Sequence, residues 1–450
     1  MSDAEGRQSE ARSVEADLLV HDAAELLTVA GVGVVPRLRR ALGELGLIRG
    51  GAVASRQGRI VAVGETRAVR DAVRLREGGR AIDASGMVVM PGLVDAHTHP
   101  VFAGSREAEF VLRLGGLSYT EIALRGGGIV NTVQPTRQAS FAELVALTRR
   151  RLDTMLLHGT TTAEAKSGYG LTVPDEIKIL EVIRALGAEH PVELVPTFLG
   201  AHAFPPEYRD RRDEYVDLVV KEMLPEVGAR GLAEFCDVAF VPKRAFTERQ
   251  SERILACARD HGMRARMHVD EFAPDGGGGL AARLGAVSAD HCIFTPQNEL
   301  ELMARAGVGA TLMPAAPFAL RIGRYADARA MVETGLAVAL GTDFNASCLC
   351  ESMPLTISLA CLKMGLTPPE ALVAATINGA WSLGRAHEVG SLEVGKASDL
   401  LVLDCPTHVH IPFHFGVNRV RHVVKRGAVV VRDGRRVDAD GAEALGGPDR

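Results

Sequence analysis

The chain has 450 residues, 47% hydrophobic and 24% charged, which are the proportions of a globular protein with a sizeable core and exclude wholesale disorder. Its net charge is −5 at pH 7 without a long block of one sign, which argues against a nucleic-acid surface, and no apolar run approaches the roughly 18 residues that span a bilayer. Seven scattered cysteines in so long a chain read as reduced thiols of a cytoplasmic protein, and Cys348-x-Cys350, the one closely spaced pair, is a weak metal signal.

Residues 1–16 are polar, lack the apolar stretch of a secretion signal, and are expected to form a disordered tail. Short Val-, Ile- and Ala-rich runs follow to residue 88. The clearest, AVASRQGRIVAVG (52–64), predicts a hairpin turning at Gln57-Gly58. LEVGKASDLLVLD (392–404) and VRHVVKRGAVVVRDG (420–434) have the same strand–turn–strand texture. Residues 17–88 and 393–450 are therefore expected to build one small β-sandwich domain from both ends of the chain.

Residues 89–392 alternate between helical and strand patterns. Ser140-x-x-Glu143 opens a helix as a capping box that Gly159 closes, and Thr247-x-x-Gln250 opens one that stops at Gly262. Thr295-Pro296 starts a third ending at Gly307, and Thr367-Pro368-x-Glu370 starts a fourth. The strand candidates are LVDAHTH (93–99), TTTAEAK (160–166), VELVPTF (192–198), AEFCDVAF (233–240), RARMHV (264–269), AVSADH (286–291), VGATLM (308–313) and AVALGTD (337–343). Eight strand–helix units predict an α/β chain of the (β/α)8 barrel type, with reactive groups at the C-terminal ends of the strands. The competing doubly wound open sheet does not suit that count.

Polar residues gather at those strand ends. His97 and His99 end the first, His268 the fifth, His291 the sixth and Asp343 the eighth. Residues i and i+2 of a strand face the same side, so His97 and His99 aim at one point. Neutral imidazoles with one carboxylate suit a zinc or iron centre that keeps a position open for water.

PGLVDAHTH, with His268, His291 and Asp343, resembles the strand-end signature of the amidohydrolase superfamily. FAGSREAEF (102–110), TTAEAKSGYGL (161–171), GAHAFPPEY (200–208), HVDE (268–271), SADH (288–291), TDFN (342–345) and IPFHFGVN (411–418) resemble the imidazolonepropionase family within it. The resemblance runs from about residue 83 to about 435. It implies metal-dependent hydrolysis of the ring C–N bond of 4-imidazolone-5-propanoate to N-formimidoyl-L-glutamate, a step of histidine degradation, with metal-activated water as nucleophile. It implies one Zn2+ or Fe3+ per subunit on His97, His99, His268 and Asp343. Dinuclear relatives place a carboxylated lysine on the fourth strand, and AEFCDVAF has none, so one ion is expected. Lys166, at the end of the second strand, reads as the partner of a neighbouring acid.

The resemblance further implies roles for individual residues. Asp343 accepts the proton of the water, His291 stabilises the developing oxyanion, and Glu271 holds the substrate ring and delivers a proton to the leaving nitrogen. Arg106 matches the propanoate tail, a role suited to a guanidinium fork, and Tyr169 and His202 contact the ring. Product contacts fall on Asn345, Ser347 and Cys348. There the chain departs from the family, reading Ala346-Ser347-Cys348 where Pro-Gly-Ser is usual. A homodimer in the cytoplasm is expected, with a small-molecule substrate and neither nucleic acid nor membrane as partner. A sibling cyclic-amide hydrolase or deaminase shares the metal residues but not the KSGYGL and GAHAFPPEY pair. A scaffold without activity has usually lost its ligands, and here all are present.

Overall fold

The computed structural model describes residues 13–31 and 33–437. Most of the expected tail and the last residues of the expected composite domain lie outside them. Eight parallel strands form one sheet in chain order: β1 (Leu93–Asp95), β2 (Thr160–Lys166), β3 (Glu193–Ala201), β4 (Phe235–Ala239), β5 (Arg264–Val269), β6 (Ser288–His291), β7 (Gly309–Leu312) and β8 (Val338–Leu340). The ends meet through Ala96 N donating to Leu340 O at 3.2 Å, and through Thr342, whose N and Oγ1 donate to the Asp95 carboxylate at 2.9 and 2.7 Å. The (β/α)8 barrel is therefore closed. β1 and β8 are shorter than their sequence patterns: His97 and His99 follow β1, and Asp343 follows β8.

The capping boxes at Ser140, Thr247 and Thr367 start the helices Phe141–Leu157, Glu248–Asp260 and Pro368–Ala374. Thr295-Pro296 leads into the helix Gln297–Ala306 as expected, with Pro296 at the N-cap position, Gly307 at the C-cap, and the Thr295 hydroxyl donating to Asp270 at 2.7 Å.

Beside the barrel, a four-stranded sheet and a seven-stranded sheet pack face to face. The first contains Val14–Ala23, so the boundary expected at residue 16 falls inside a strand. Its hairpin Gly51–Arg56/Arg59–Glu65 turns at Gln57 and Gly58, both with positive φ (49° and 79°), the geometry of a tight primed turn. The second sheet joins strands 25–27, 47–48 and 88–91 to strands 400–403, 420–425, 428–432 and 435–436. Leu18, Val20, Val53 and Ile60 of one sheet meet Leu26, Val89, Leu400, Val402 and Val424 of the other in a shared apolar core. Segment 392–399 is a loop rather than the expected strand.

Candidate metal centre and active site

A cavity of about 450 Å³ opens at the C-terminal mouth of the barrel. His97, His99 and His268 place ring nitrogens within 4.8 Å of one another. The Nε2 atoms of His97 and His99 are 3.2 Å apart, and Asp343 Oδ1 lies 3.7 Å from each. Burial depresses the pKa of His97 and His99 well below the usual imidazole value, so both rings are neutral. The Asp343 carboxyl is pushed up to about 6, chiefly by burial. His291 stands beside this group, its ring centroid 5.4 Å from that of His97 and 5.1 Å from that of His268.

A second layer holds these side chains. His97 Nδ1 is 2.7 Å from Asp290 Oδ2, and His268 Nδ1 is 3.0 Å from Asp237 Oδ2. The first of these, a hydrogen bond, fixes the His97 tautomer and aims its far nitrogen, and the second sets a carboxylate charge against the His268 ring. Asp237 raises the pKa of the His268 imidazole against the opposing effect of burial. Lys166 Nζ in turn reaches Asp237 at 2.6 Å and Glu164 at 2.9 Å, the pairing with neighbouring acids that its sequence position suggests. Glu164, Asp237, Arg266 and Asp290 were not singled out from sequence. The signal lay in charges alternating at i, i+2 along β2 and β5, Glu164/Lys166 and Arg266/His268, within otherwise apolar strands.

Arg106, Tyr169, His202, Glu271, Asn345 and Ser347 line the same cavity as the histidines. Arg106 is anchored through Nε and Nη2 to Glu109 Oε2 at 3.0 and 2.7 Å, and Glu109 is fixed by Gly128 N and Asn131 Nδ2. Tyr169 sits in a loop whose Gly168, Gly170 and Leu171 amides all donate to the buried Glu176 carboxylate. His202 donates through Nδ1–H to Gly168 O, 2.9 Å away, and stacks on His99 at 5.1 Å. Burial, aided by His268, lowers its pKa to about 3. Glu271 is pushed up to about 8 by desolvation and then by the charge of Asp343.

Asn345 organises the departing segment. Its Nδ2 donates to Asp343 Oδ1 at 2.8 Å, while its Oδ1 accepts from Ser347 N, Ser347 Oγ and Cys348 N at 2.9–3.0 Å. Ser347 is absent from the residues with positive φ, so a side chain is accommodated where glycine is usual. The Cys348 thiol lines a separate pocket of about 350 Å³, with Ala315 and Leu359 as neighbours.

The amidohydrolase family matches residues 88–430. Over 421 residues the chain is 51% identical to the imidazolonepropionase of Symbiobacterium thermophilum, covering 93% of this chain and 98% of that one. It is 48% identical to the imidazolonepropionase of Geobacillus kaustophilus, covering 93% and 99%. Similar folds occur in an adenosine deaminase from Xanthomonas campestris with bound zinc (TM-score 0.69, 22% identity, 95% of each chain). An atrazine chlorohydrolase from Arthrobacter aurescens complexed with zinc is also similar (TM-score 0.65, 20% identity, 94% and 97%). The chain belongs to the amidohydrolase family. Within that family its place is among the imidazolonepropionases.

Proposed function

We propose that this chain hydrolyses the ring C–N bond of 4-imidazolone-5-propanoate, a cyclic amide, to N-formimidoyl-L-glutamate in histidine degradation. The observation that carries this reading is a single cavity in which a histidine–aspartate cluster faces Arg106, Tyr169, His202 and Glu271. The cluster fits a metal ion. With His97 Nδ1 committed to Asp290, His97 Nε2 is left as an acceptor 3.2 Å from His99 Nε2, with Asp343 Oδ1 3.7 Å from each, a buried nitrogen and oxygen set suited to a shared cation. One zinc or iron(III) ion per subunit, on His97, His99, His268 and Asp343, would supply Lewis acidity and an acidified water there.

The protein's own groups do the rest. Arg106, held by Glu109 on one edge, pairs with the propanoate. Tyr169 and His202 orient the ring by hydrogen bonds. Asp343, its Oδ1 3.7 Å from Nε2 of both His97 and His99, takes the proton of the attacking water. His291, neutral through burial, donates to the oxygen that gains charge as the carbonyl carbon becomes tetrahedral. Glu271, with its pKa near 8, steadies the ring and gives a proton to the departing nitrogen. Asn345 with Ser347 frames the product side, and Cys348, whose side chain lies outside this cavity, contributes only its backbone N–H to Asn345.

The reading extends to a cytoplasmic homodimer with neither nucleic acid nor membrane as partner. A net charge of −5 without a long basic block suits a protein that does not bind nucleic acid, and among the described residues no helix is long and apolar enough to cross a membrane. The test is hydrolysis of freshly made 4-imidazolone-5-propanoate, followed by loss of ultraviolet absorbance and by direct assay of N-formimidoyl-L-glutamate. Chelated protein and Asp343→Ala are the controls. Metal-dependent product formation above spontaneous decay is the expected result. A fully metallated protein without that product would overturn the substrate assignment and favour a sibling cyclic-amide hydrolase or deaminase.

A further inference from the structure

Beneath the histidines the barrel is filled by charge rather than by the usual layers of branched apolar side chains. Lys166 Nζ lies 2.9 Å from Glu164 Oε1, 2.6 Å from Asp237 Oδ2 and 3.6 Å from Asp290 Oδ2. Arg266 reaches Glu164 at 3.1 Å and Asp290 at 3.2 Å. All five side chains are completely buried. Carboxylates withdrawn from water require a compensating cation, and losing it is strongly destabilising.

The same acids have ligand spacing. A ring nitrogen of His97 and carboxylate oxygens of Glu164 and Asp290 all lie within 4.8 Å of one another. His97 joins the two groups, its Nε2 facing the cavity and its Nδ1 donating to Asp290 of the inner one, so an inner ion would rest on the carboxylates. Oxygen-rich, buried and next to the first, the inner group has the make-up of the second half of a two-ion centre. A lysine ammonium touches both of its acids.

We propose that Lys166 stands in for a second metal ion, its ammonium occupying the acidic cage of Glu164, Asp237 and Asp290 and so limiting the centre to one ion. This rests on the reading of His97, His99, His268 and Asp343 as a metal site. Lys166 is a positioning residue here, because it acts on the centre through Asp237 and Asp290, which hold His268 and His97. A fully buried ammonium fixed on the chain holds those acids in place without recruiting a further ligand set.

The test uses the full-length protein, stripped with a chelator and titrated with zinc, with bound metal counted by elemental analysis. Cobalt(II) replaces zinc for electron paramagnetic resonance. The wild type is expected to bind one ion and give an uncoupled cobalt signal. Lys166→Ala is expected to bind two, with the signal diminished by coupling between neighbouring ions. The double variant Lys166→Ala/Glu164→Gln, which also removes an inner ligand, is expected to return to one. Should Lys166→Ala fail to fold, Lys166→Ser leaves similar space and faces the same measurement. One uncoupled ion in the folded single variant overturns the proposal. So does a second ion located by anomalous scattering among Glu164, Asp237 and Asp290 of the wild type grown in excess cobalt, a measurement that needs no variant. A wild type that binds no ion at all would instead overturn the metal-site reading, before any variant is made.

Discussion

Asp290 Oδ2 accepts a hydrogen bond from Nδ1 of His97 at 2.7 Å, with both side chains fully buried. The bond keeps the proton on Nδ1 and directs the lone pair of Nε2 towards His99 and Asp343. Replacing Asp290 by Asn leaves an amide that does not enforce that tautomer. Zinc affinity is expected to fall about 10- to 100-fold, the usual cost of losing such a partner. Competition with a chromogenic chelator measures it, and wild-type affinity would show that the ring needs no carboxylate to aim it.

Among the arginines that line the cavity, which include Arg209, Arg212 and Arg244, Arg106 is the buried one, and Glu109 has already fixed its orientation. Arg106→Gln removes a charge-assisted pair worth about 1.5–3 kcal/mol, so KM should rise roughly 10- to 150-fold with a smaller change in kcat. Steady-state kinetics separate the two constants. An unchanged KM would place the tail elsewhere in the cavity.

Glu271 gives a pH signature in the metal-free protein. Its carboxyl keeps its proton up to about pH 8 in the folded state, against an ordinary value of 4.5, because of desolvation and the neighbouring Asp343. Between those values the native state holds the extra proton, so this group's contribution to stability is full at low pH and declines as pH rises towards 8. Glu271→Gln has no such proton. Its Tm relative to wild type should therefore climb from pH 5 to pH 8.5, and a difference flat with pH would contradict the shift. In the metallated enzyme the same substitution should lower kcat by about 10²–10⁴.

Gly168 sets the loop that carries Tyr169. At φ +106° a Cβ would stand 2.9 Å from Leu199 O and 3.0 Å from His202 Nδ1. Gly168→Ala should cost about 1–3 kcal/mol and reduce kcat/KM by displacing His202. Gly187, inside the helix Val173–Glu189, has its nearest neighbour at 4.0 Å. Gly187→Ala should leave activity unchanged and raise stability by about 0.5–1 kcal/mol. Thermal melts of the two variants side by side decide the contrast.

Cys348 supplies no chemistry in this arrangement. Burial raises its thiol pKa well above the ordinary range, and the Sγ contact to Thr342 O is 3.9 Å. Cys348→Ser should turn over like the wild type, and a large loss of kcat would make the thiol a reacting group after all.

The barrel was legible because its signals are local: capping boxes at Ser140, Thr247 and Thr367, and polar residues ending apolar runs. The hairpin at Gln57-Gly58 needed only turn chemistry. The candidate ligands stood out because histidines at several strand ends converge only in a closed barrel. Glu164, Asp237, Arg266 and Asp290 were less visible, since most of their partners lie on other strands. Segment 392–399 misled for a related reason. Its polar groups are taken by tertiary partners, Lys396 O accepting from Ile60 N at 2.9 Å and Lys396 Nζ donating to Ala386 O at 2.7 Å, rather than by a ladder. Strand-like composition says nothing of where those bonds go.

The pairing of strand 88–91 with strand 400–403, Met90 opposite Leu401, has a consequence for biosynthesis. The partner of Met90 is made roughly 300 residues later, a delay of about 15–60 s at ordinary translation speeds of about 5–20 residues per second. Throughout that interval one edge of the nascent N-terminal sheet is bare, a template for pairing with any other extended chain. The protein's last forty described residues therefore act as its own late-arriving chaperone, and a ribosome that stalls before residue 400 releases a chain with that edge uncovered.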